Sequence, residues 1–431
     1  MIRLLIIADD FTGALDTCVS FAEKGIPTRV LMAREMKDHF PEDVEVLAVD
    51  TETRHLSDRE AYAVVHGIVR FAVDAGIPYL YKKVDSTLRG NIGAELSAVM
   101  DAAGSDSFYF APAFPTNGRT TVNGQQLVDG VALHQSVFAH DPLEPMVTSD
   151  IADILRRQTD KPICRAAAAS FPEVWSQRQS GICVLDASRQ EELLSIADFA
   201  AAKGRCLVLG GSAGLAAGLS AVLPLRRCKL PDYSCPKAHL FLVGSVNQVS
   251  LDQIDRAARQ GSPLVRLTFE QQLSHDYYDR GECTGLLDSI TAALLQKQQC
   301  IVSTLDNRDQ LQKAAQYACR IALDPAEISS RIASNIGLLV QHLLRRPVPI
   351  TLIVFGGDTL LGIMQVIRCR YITPIREMRP GIVLSCAMCE GGALTLVTKA
   401  GGFGGTDTIS YINQCLDKCT STIPEGGFDN V

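Results

Sequence analysis

Tyr79-Leu80-Tyr81-Lys82-Lys83-Val84-Asp85-Ser86-Thr87-Leu88-Arg89-Gly90-Asn91-Ile92-Gly93 is the stretch on which the rest of the sequence turns. An apolar, β-prone run, Tyr79 to Tyr81, leads into it, and a helix-like run, Ala94 to Ala103, follows it, so it reads as strand, turn and helix. The turn carries Lys82, Lys83 and Arg89, a carboxylate, two hydroxyls and an amide. In an open α/β sheet, ligands bind at the carboxyl ends of the strands. Arg and Lys hold carboxylate or phosphate, and the free N–H groups of a helix start add to that pull. An anionic, polyhydroxylated small molecule suits such a turn. The competing reading is a solvated loop whose charges pair among themselves.

The flanking sequence supports the sheet. Residues 2–8, 28–33, 44–50, 79–84 and 107–111 read as strands, with helices over 15–24 and 59–75 stopped by Gly25 and Gly76. Strands alternating with helices predict a parallel, doubly wound sheet. Between Pro112 and Asp150 prolines and glycines break the rhythm, and an irregular excursion containing Arg119, Asn123, His134 and Asp141 is expected to be functional. Alternation resumes with a strand at 181–186, a helix at 190–202 and a strand at 206–210. Residues 223–236 read as a linker. A second α/β block follows, with strands at 239–243, 300–304 and 350–355 and helices at 249–260 and 325–346.

A chain of 431 residues exceeds one hydrophobic core, so two domains are expected, 1–225 and 236–431. Hydrophobic residues at 47% and charged residues at 21% describe an ordinary globular protein. A net charge of −7 argues against nucleic-acid or anionic-membrane partners, while leaving room for a local cationic pocket. No apolar run approaches the roughly 20 residues of a membrane span, and the short apolar start running into Asp9 does not resemble a signal peptide. The 14 cysteines, scattered among apolar residues, suit reduced core thiols and a cytoplasmic setting. Cys386, Cys389, Cys415 and Cys419 could supply four thiolates, but Cys386 sits in a β-like run without a zinc-knuckle turn, and no metal site is assigned.

Three further turns carry chemistry. Asp9-Asp10-Phe11-Thr12-Gly13-Ala14 ends the first strand, and its paired carboxylates can bind hydroxyls, act as a base or contribute to a Mg²⁺ site, unless one of them simply caps the helix. Arg54, after the strand ending at Asp50, shares the carboxyl edge with Asp9 and Lys83 and can fork a carboxylate. In the second block the glycine turns Gly244-Ser245, Gly356-Gly357-Asp358-Thr359 and Lys399-Ala400-Gly401-Gly402-Phe403-Gly404-Gly405 each follow an apolar run. Each alone could be a plain tight turn, but three in one block favour phosphate cradling and nucleotide binding. The chain has neither a G-x-x-x-x-G-K-[ST] loop nor a dinucleotide fingerprint after the first strand. Gly210-Gly211-Ser212-Ala213-Gly214 reads as a helix–strand packing turn as readily as a hydrolase elbow.

These motifs, together with Pro112-Ala113-Phe114-Pro115 and Gly118-Arg119, resemble the four-carbon acid sugar kinase family, the ATP-dependent kinases of D-threonate, D-erythronate and 3-oxo-tetronate, in order along nearly the whole chain. The resemblance implies an acid-sugar-binding N-terminal α/β domain, an ATP-binding C-terminal α/β domain and an active site in the cleft between them. It implies that Asp9, Arg54, Lys83, Asp85, Ser86 and Arg89 contact the sugar acid. Ser245, Gly356, Gly357, Asp358, Thr359 and Gly402 would contact ATP. Asp9, Asp10 and Asp85 stay open as the group that accepts or orients the hydroxyl proton, with Mg²⁺ and domain closure assisting transfer. Leu15-Asp16-Thr17 and Thr53-Arg54 look closer to the threonate and erythronate members than to the 3-oxo-tetronate ones. Two alternatives are a nucleotide-binding regulatory protein without turnover and a sugar-acid dehydrogenase or lyase. A homodimer is left open.

Overall fold

The computed structural model describes residues 2–35, 43–140, 144–177, 180–204, 208–229, 233–245, 247–305 and 310–419. Asp141 and the start of the strand read at 206–210 lie outside them. Contacts divide the chain into two units, Met1–Cys228 and Lys229–Val431. Among the described residues no helix is long and apolar enough to cross a membrane.

In the first unit the strands are β1 (Leu4–Ala8), β2 (Thr28–Met32), β3 (Val46–Asp50), β4 (Tyr79–Lys83), β5 (Ser107–Ala111), β6 (Arg119–Val122), β7 (Gln125–Val128), β8 (Val131–Ala132), β9 (Ile163–Ala167), β10 (Gly181–Asp186) and β11 (Val208–Gly211). The main sheet runs β2-β3-β1-β4-β11-β5-β10-β9, and all its neighbours are parallel. β1 and β3 are buried along their whole length, as a sheet covered by helices on both faces requires. From β1 the chain moves to one side of the sheet, and from β4 to the other. Right-handed crossovers then send the two following helices to opposite faces. A crevice opens between the carboxyl ends of β1 and β4, and it places Asp9-Asp10 beside Val84-Asp85.

Two readings of this unit change. The first helix spans Phe11–Ala22 and starts four residues before the expected Leu15, because Asp10 caps it by accepting from the Gly13 N–H. The excursion read as irregular contains a three-stranded antiparallel sheet, β6-β7-β8. Its two hairpin turns are Asn123-Gly124 and Asp129-Gly130, with both residues of each at positive φ. Such pairs are the strongest short-range hairpin signal a sequence offers. In the Gly210–Gly214 turn, Ser212 is buried, donates to the Ala113 carbonyl at 2.7 Å and caps the next helix. It serves packing.

The second unit contains β12 (Ala238–Val243), β13 (Leu264–Arg266), β14 (Gln299–Ser303), β15 (Ile350–Phe355), β16 (Cys369–Arg379), β17 (Ile382–Cys389) and β18 (Gly392–Lys399), ordered β13-β14-β12-β15-β18-β17-β16. Neighbours are parallel as far as β18 and antiparallel beyond it. Pro374 inside β16 hid that strand from a sequence reading, since proline argues against a strand interior. The chain leaves β12 and β15 in opposite directions along the sheet, which makes a second switch point there. Phe241, Ile353, Phe355, Leu384, Val397 and Ile409 are among the residues that fill the core on one face.

The four late cysteines do not converge. Cys369 and Cys389 face each other across β16 and β17, whereas the Arg376 guanidinium donates to Cys419 Sγ at 3.0 Å. The described cysteines are all free thiols, and no described group of three or more His, Cys, Asp or Glu residues could hold a metal ion.

Candidate functional site

Charged side chains from three loops meet at the first unit's crevice. Arg54 Nε donates to Asp9 Oδ2 at 2.8 Å, and Arg54 Nη2 lies 2.9 Å from Asp10 Oδ1. The fork expected to hold a substrate carboxylate is therefore closed on two aspartates. Arg89 Nε donates to Asp85 Oδ2 at 2.7 Å. Lys83, buried, donates to the Val84 carbonyl at 2.8 Å. Gly13 permits this crowding: a Cβ there would lie 2.3 Å from Asp10 Oδ1 and 2.8 Å from Lys83 Nζ. Asp9 is 2% exposed, and its Oδ1 is buried with no partner among the described residues.

The electrostatics follow from this pairing. Burial opposes ionisation of Asp10, but Arg54 and then Lys83 outweigh it and hold its pKa below the usual carboxylate value. Burial likewise opposes the Asp85 charge, and Arg89 followed by Arg54 holds this carboxyl well below its ordinary range. Asp50, one strand residue behind the loop, goes the other way: burial and the Asp10 charge push its pKa well up. Arg119, from the excursion, lies 5.7 Å from the Phe138 ring centroid, as does Arg89 on the same ring. Arg54, Lys83, Arg89 and Arg119 face Asp9, Asp10 and Asp85 here, with Asp129 acting on Arg119 and Glu144 on the Gly90 N–H.

Several residues support the site in ways the sequence pattern does not show, and Lys82, read as a cation of the turn, lies buried inside β4. Lys82 and Lys83 are adjacent in β4, so their side chains leave on opposite faces. Lys82 pairs with Glu95 at 2.9 Å, both at most 1% exposed, and also donates to the Ile7 and Lys83 carbonyls. Thr53 donates to Glu95, which ties this pair to the Arg54 loop. The Asn91 amide donates to the Thr53 and Leu56 carbonyls, each at 2.8 Å, and clamps the same loop. Glu144 accepts from the Gly90 N–H at 2.7 Å, and Gln126 donates to the Ser86 carbonyl at 2.8 Å, so the excursion braces the motif loop. The Ser86 hydroxyl is left without a partner among the described residues.

In the second unit, β12, β15 and β18 are parallel neighbours, so their glycine turns share one edge. Gly244 packs so closely on Thr359 that a Cβ would sit 2.0 Å from Thr359 Oγ1. A Cβ on Gly401 would sit 2.9 Å from Ser245 Oγ. The ten-residue helix Gly357–Val366 begins without a side-chain cap, leaving its first N–H groups available to an anion. Asp358 and Gly402 are exposed. Gln253, buried, donates to the Phe403 and Gly405 carbonyls at 3.1 and 3.0 Å and shapes the last turn.

The chain's relatives match this division. Residues 4–219 match the family model of a sugar-binding N-terminal domain, and 240–409 that of a nucleotide-binding C-terminal domain. A D-threonate kinase of Salmonella typhimurium is 30% identical over 94% of this chain and 96% of its own. A D-erythronate kinase of Heliobacterium modesticaldum is 28% identical over 97% of each chain, and a 3-oxo-tetronate kinase of Cupriavidus necator is 26% identical over 93% and 94%. Among solved structures, a Salmonella typhimurium protein superposes with a TM-score of 0.76 at 22% identity, covering 96% of this chain and 99% of its own. A Haemophilus influenzae protein superposes at 0.69 and 23% identity, covering 96% and 100%, and these two support the fold. The chain belongs to the four-carbon acid sugar kinase family and is a sugar-acid kinase.

Proposed function

We propose that the protein uses ATP to phosphorylate a terminal hydroxyl of a four-carbon acid sugar, D-threonate or D-erythronate. The observation that carries this reading is Asp9: one carboxylate oxygen is fixed by Arg54 at 2.8 Å, and the other is buried without a partner among the described residues. A buried, oriented, unsatisfied acceptor is matched by an incoming O–H group. Asp9 would accept or orient the proton of the attacking hydroxyl, while Arg54 holds its other oxygen in place. Asp10 has a structural share as helix cap, and Asp85 positions Arg89. Lys83, Arg89 and Arg119 supply the positive charge for the sugar carboxylate, and Ser86 is free for a second hydroxyl. This moves carboxylate binding away from Arg54.

Ser245, Gly356, Gly357, Asp358, Thr359 and Gly402 would line the ATP phosphates, mainly through backbone N–H groups. The described residues offer no cage for a protein-held cation. Mg²⁺ therefore enters as part of the nucleotide substrate, where it would neutralise phosphate charge. Phosphoryl transfer depends mainly on positioning and charge stabilisation. Free thiols throughout the described chain support a cytoplasmic setting. The threonate and erythronate choice rests on Thr53-Arg54 and on relatives matched over nearly the whole chain, 30% and 28% against 26% for the 3-oxo-tetronate kinase.

ADP release with Mg-ATP, measured across D- and L-threonate, D- and L-erythronate and the 3-oxo-tetronates, tests the reading. Turnover with D-threonate or D-erythronate is expected. Turnover confined to a 3-oxo-tetronate would refute the substrate choice, and silence across the panel with ATP bound would refute the reaction.

A further inference from the structure

Lys399, the last residue of β18, is fully buried. Its Nζ donates to Ser250 Oγ at 3.0 Å and to the Gly401 carbonyl at 2.9 Å, and it lies 4.6 Å from the Phe355 ring centroid. Among the described residues no carboxylate pairs with it. The charged groups on the surrounding elements are engaged elsewhere or face solvent. Asp252 accepts from Gln248 at 2.8 Å, and Arg256 donates to Thr406 at 2.8 Å. Glu377 accepts from the Gly381 N–H at 3.0 Å, and Arg379 pairs with Asp407 at 3.1 Å. Asp255 and Asp358 are exposed.

An ammonium taken out of water without a counter-anion is unfavourable, and such a group either loses its proton or waits for an anion. Burial alone brings the Lys399 pKa down to about 7. The group it holds, Gly401, begins the turn that lies beside Ser245. The missing anion is thus expected at the glycine turns.

We propose that Lys399 is a further nucleotide-binding residue, a buried cation behind the glycine turns that takes up a proton from solvent when a polyphosphate binds and so couples nucleotide affinity to pH. This rests on the second unit's being the nucleotide site. Linkage makes the coupling reciprocal: bound phosphate favours the ammonium, and the ammonium favours bound phosphate.

Calorimetric titration of the full chain with ADP, in buffers of differing ionisation enthalpy, reads the protons taken up per nucleotide. With a free-state pKa of about 7, uptake of about half a proton is expected at pH 7, rising to about one at pH 8.5. Protonation of the ADP phosphates themselves is subtracted with Lys399→Met, which should abolish the Lys399 share and weaken ADP at pH 7 by about tenfold or more. Lys399→Arg keeps the charge without titrating in this range. It should bind ADP at pH 7 within about threefold of the wild type, with no rise in uptake at pH 8.5. The wild-type comparison of the two pH values stands even where a variant fails to fold. ADP bound with no added uptake at pH 8.5 overturns the role of Lys399 alone. No ADP binding at all overturns the nucleotide site and the proposal with it.

Discussion

Replacing Asp9 by Asn keeps the shape of the side chain and removes its charge and its basicity. The structure separates two consequences. For stability, Arg54 loses the partner at 2.8 Å but retains Asp10 at 2.9 Å. The guanidinium therefore stays paired, and the full penalty for an orphaned buried charge, about 3–5 kcal/mol, does not apply. A loss of about 1–3 kcal/mol is expected for the weakened hydrogen bond, partly offset by reduced repulsion among three carboxylates. For catalysis, the unpartnered Oδ1 is replaced by a group that cannot accept a proton, and removal of a general base lowers turnover by about 10²–10⁴. That factor corresponds to about 3–5 kcal/mol on the barrier. The assay is steady-state ADP release with the preferred acid sugar, beside thermal unfolding of the same preparation. Asp10→Asn is the internal control, since Asn caps a helix about as well as Asp, and it should lose less turnover. A kcat for Asp9→Asn within tenfold of the wild type, in a folded protein, would refute the role given to Asp9.

Three other outcomes follow from the packing. Lys82→Met leaves Glu95 buried and unpaired and should cost about 3–5 kcal/mol in chemical denaturation, whereas the double change Lys82→Met with Glu95→Gln should recover most of that loss; additive single effects would show that the two do not act as a pair. Gly13→Ala gains about 1 kcal/mol of helix propensity against about 1–3 kcal/mol of overpacking, so a net loss of up to about 2 kcal/mol is expected. Its KM for the acid sugar should also rise at least about tenfold, because Asp10 and Lys83 must both move; an unchanged KM would contradict the close approach. Asp50 has a raised folded-state pKa, so its contribution is fully present below the unfolded value of about 4 and is lost as pH rises through the folded one. Asp50→Asn should therefore gain on the wild type in urea midpoint between pH 4.5 and 7.5, and a pH-independent difference would sink this account.

Much of the architecture was legible because its signals are local. Apolar runs ending in Asp9-Asp10, Thr51–Arg54 and Lys83–Asp85 announce strand ends, and the helix that follows each turn announces a parallel crossover. The hairpins of the excursion are equally local, written in Asn123-Gly124 and Asp129-Gly130, although the prolines around them give the stretch an irregular look. Strand β16 was not legible, since Pro374 and its mixed polarity give no clean period and only pairing with β17 makes it a strand.

What the sequence determined by itself was which residues reach the carboxyl edges of the sheets, because the alternation of strand, turn and helix is set within a few residues. Only the tertiary structure decided how their charges are shared. Arg54 is closed on Asp9 and Asp10, Asp85 on Arg89, and Lys82 on Glu95, while Asp9 Oδ1 and Lys399 keep no ionic partner among the described residues. Arg54 and Asp9 stand 45 residues apart along the chain. Which carboxylate a cation meets over such a separation depends on strand order and on the face each side chain takes, and no local pattern encodes either.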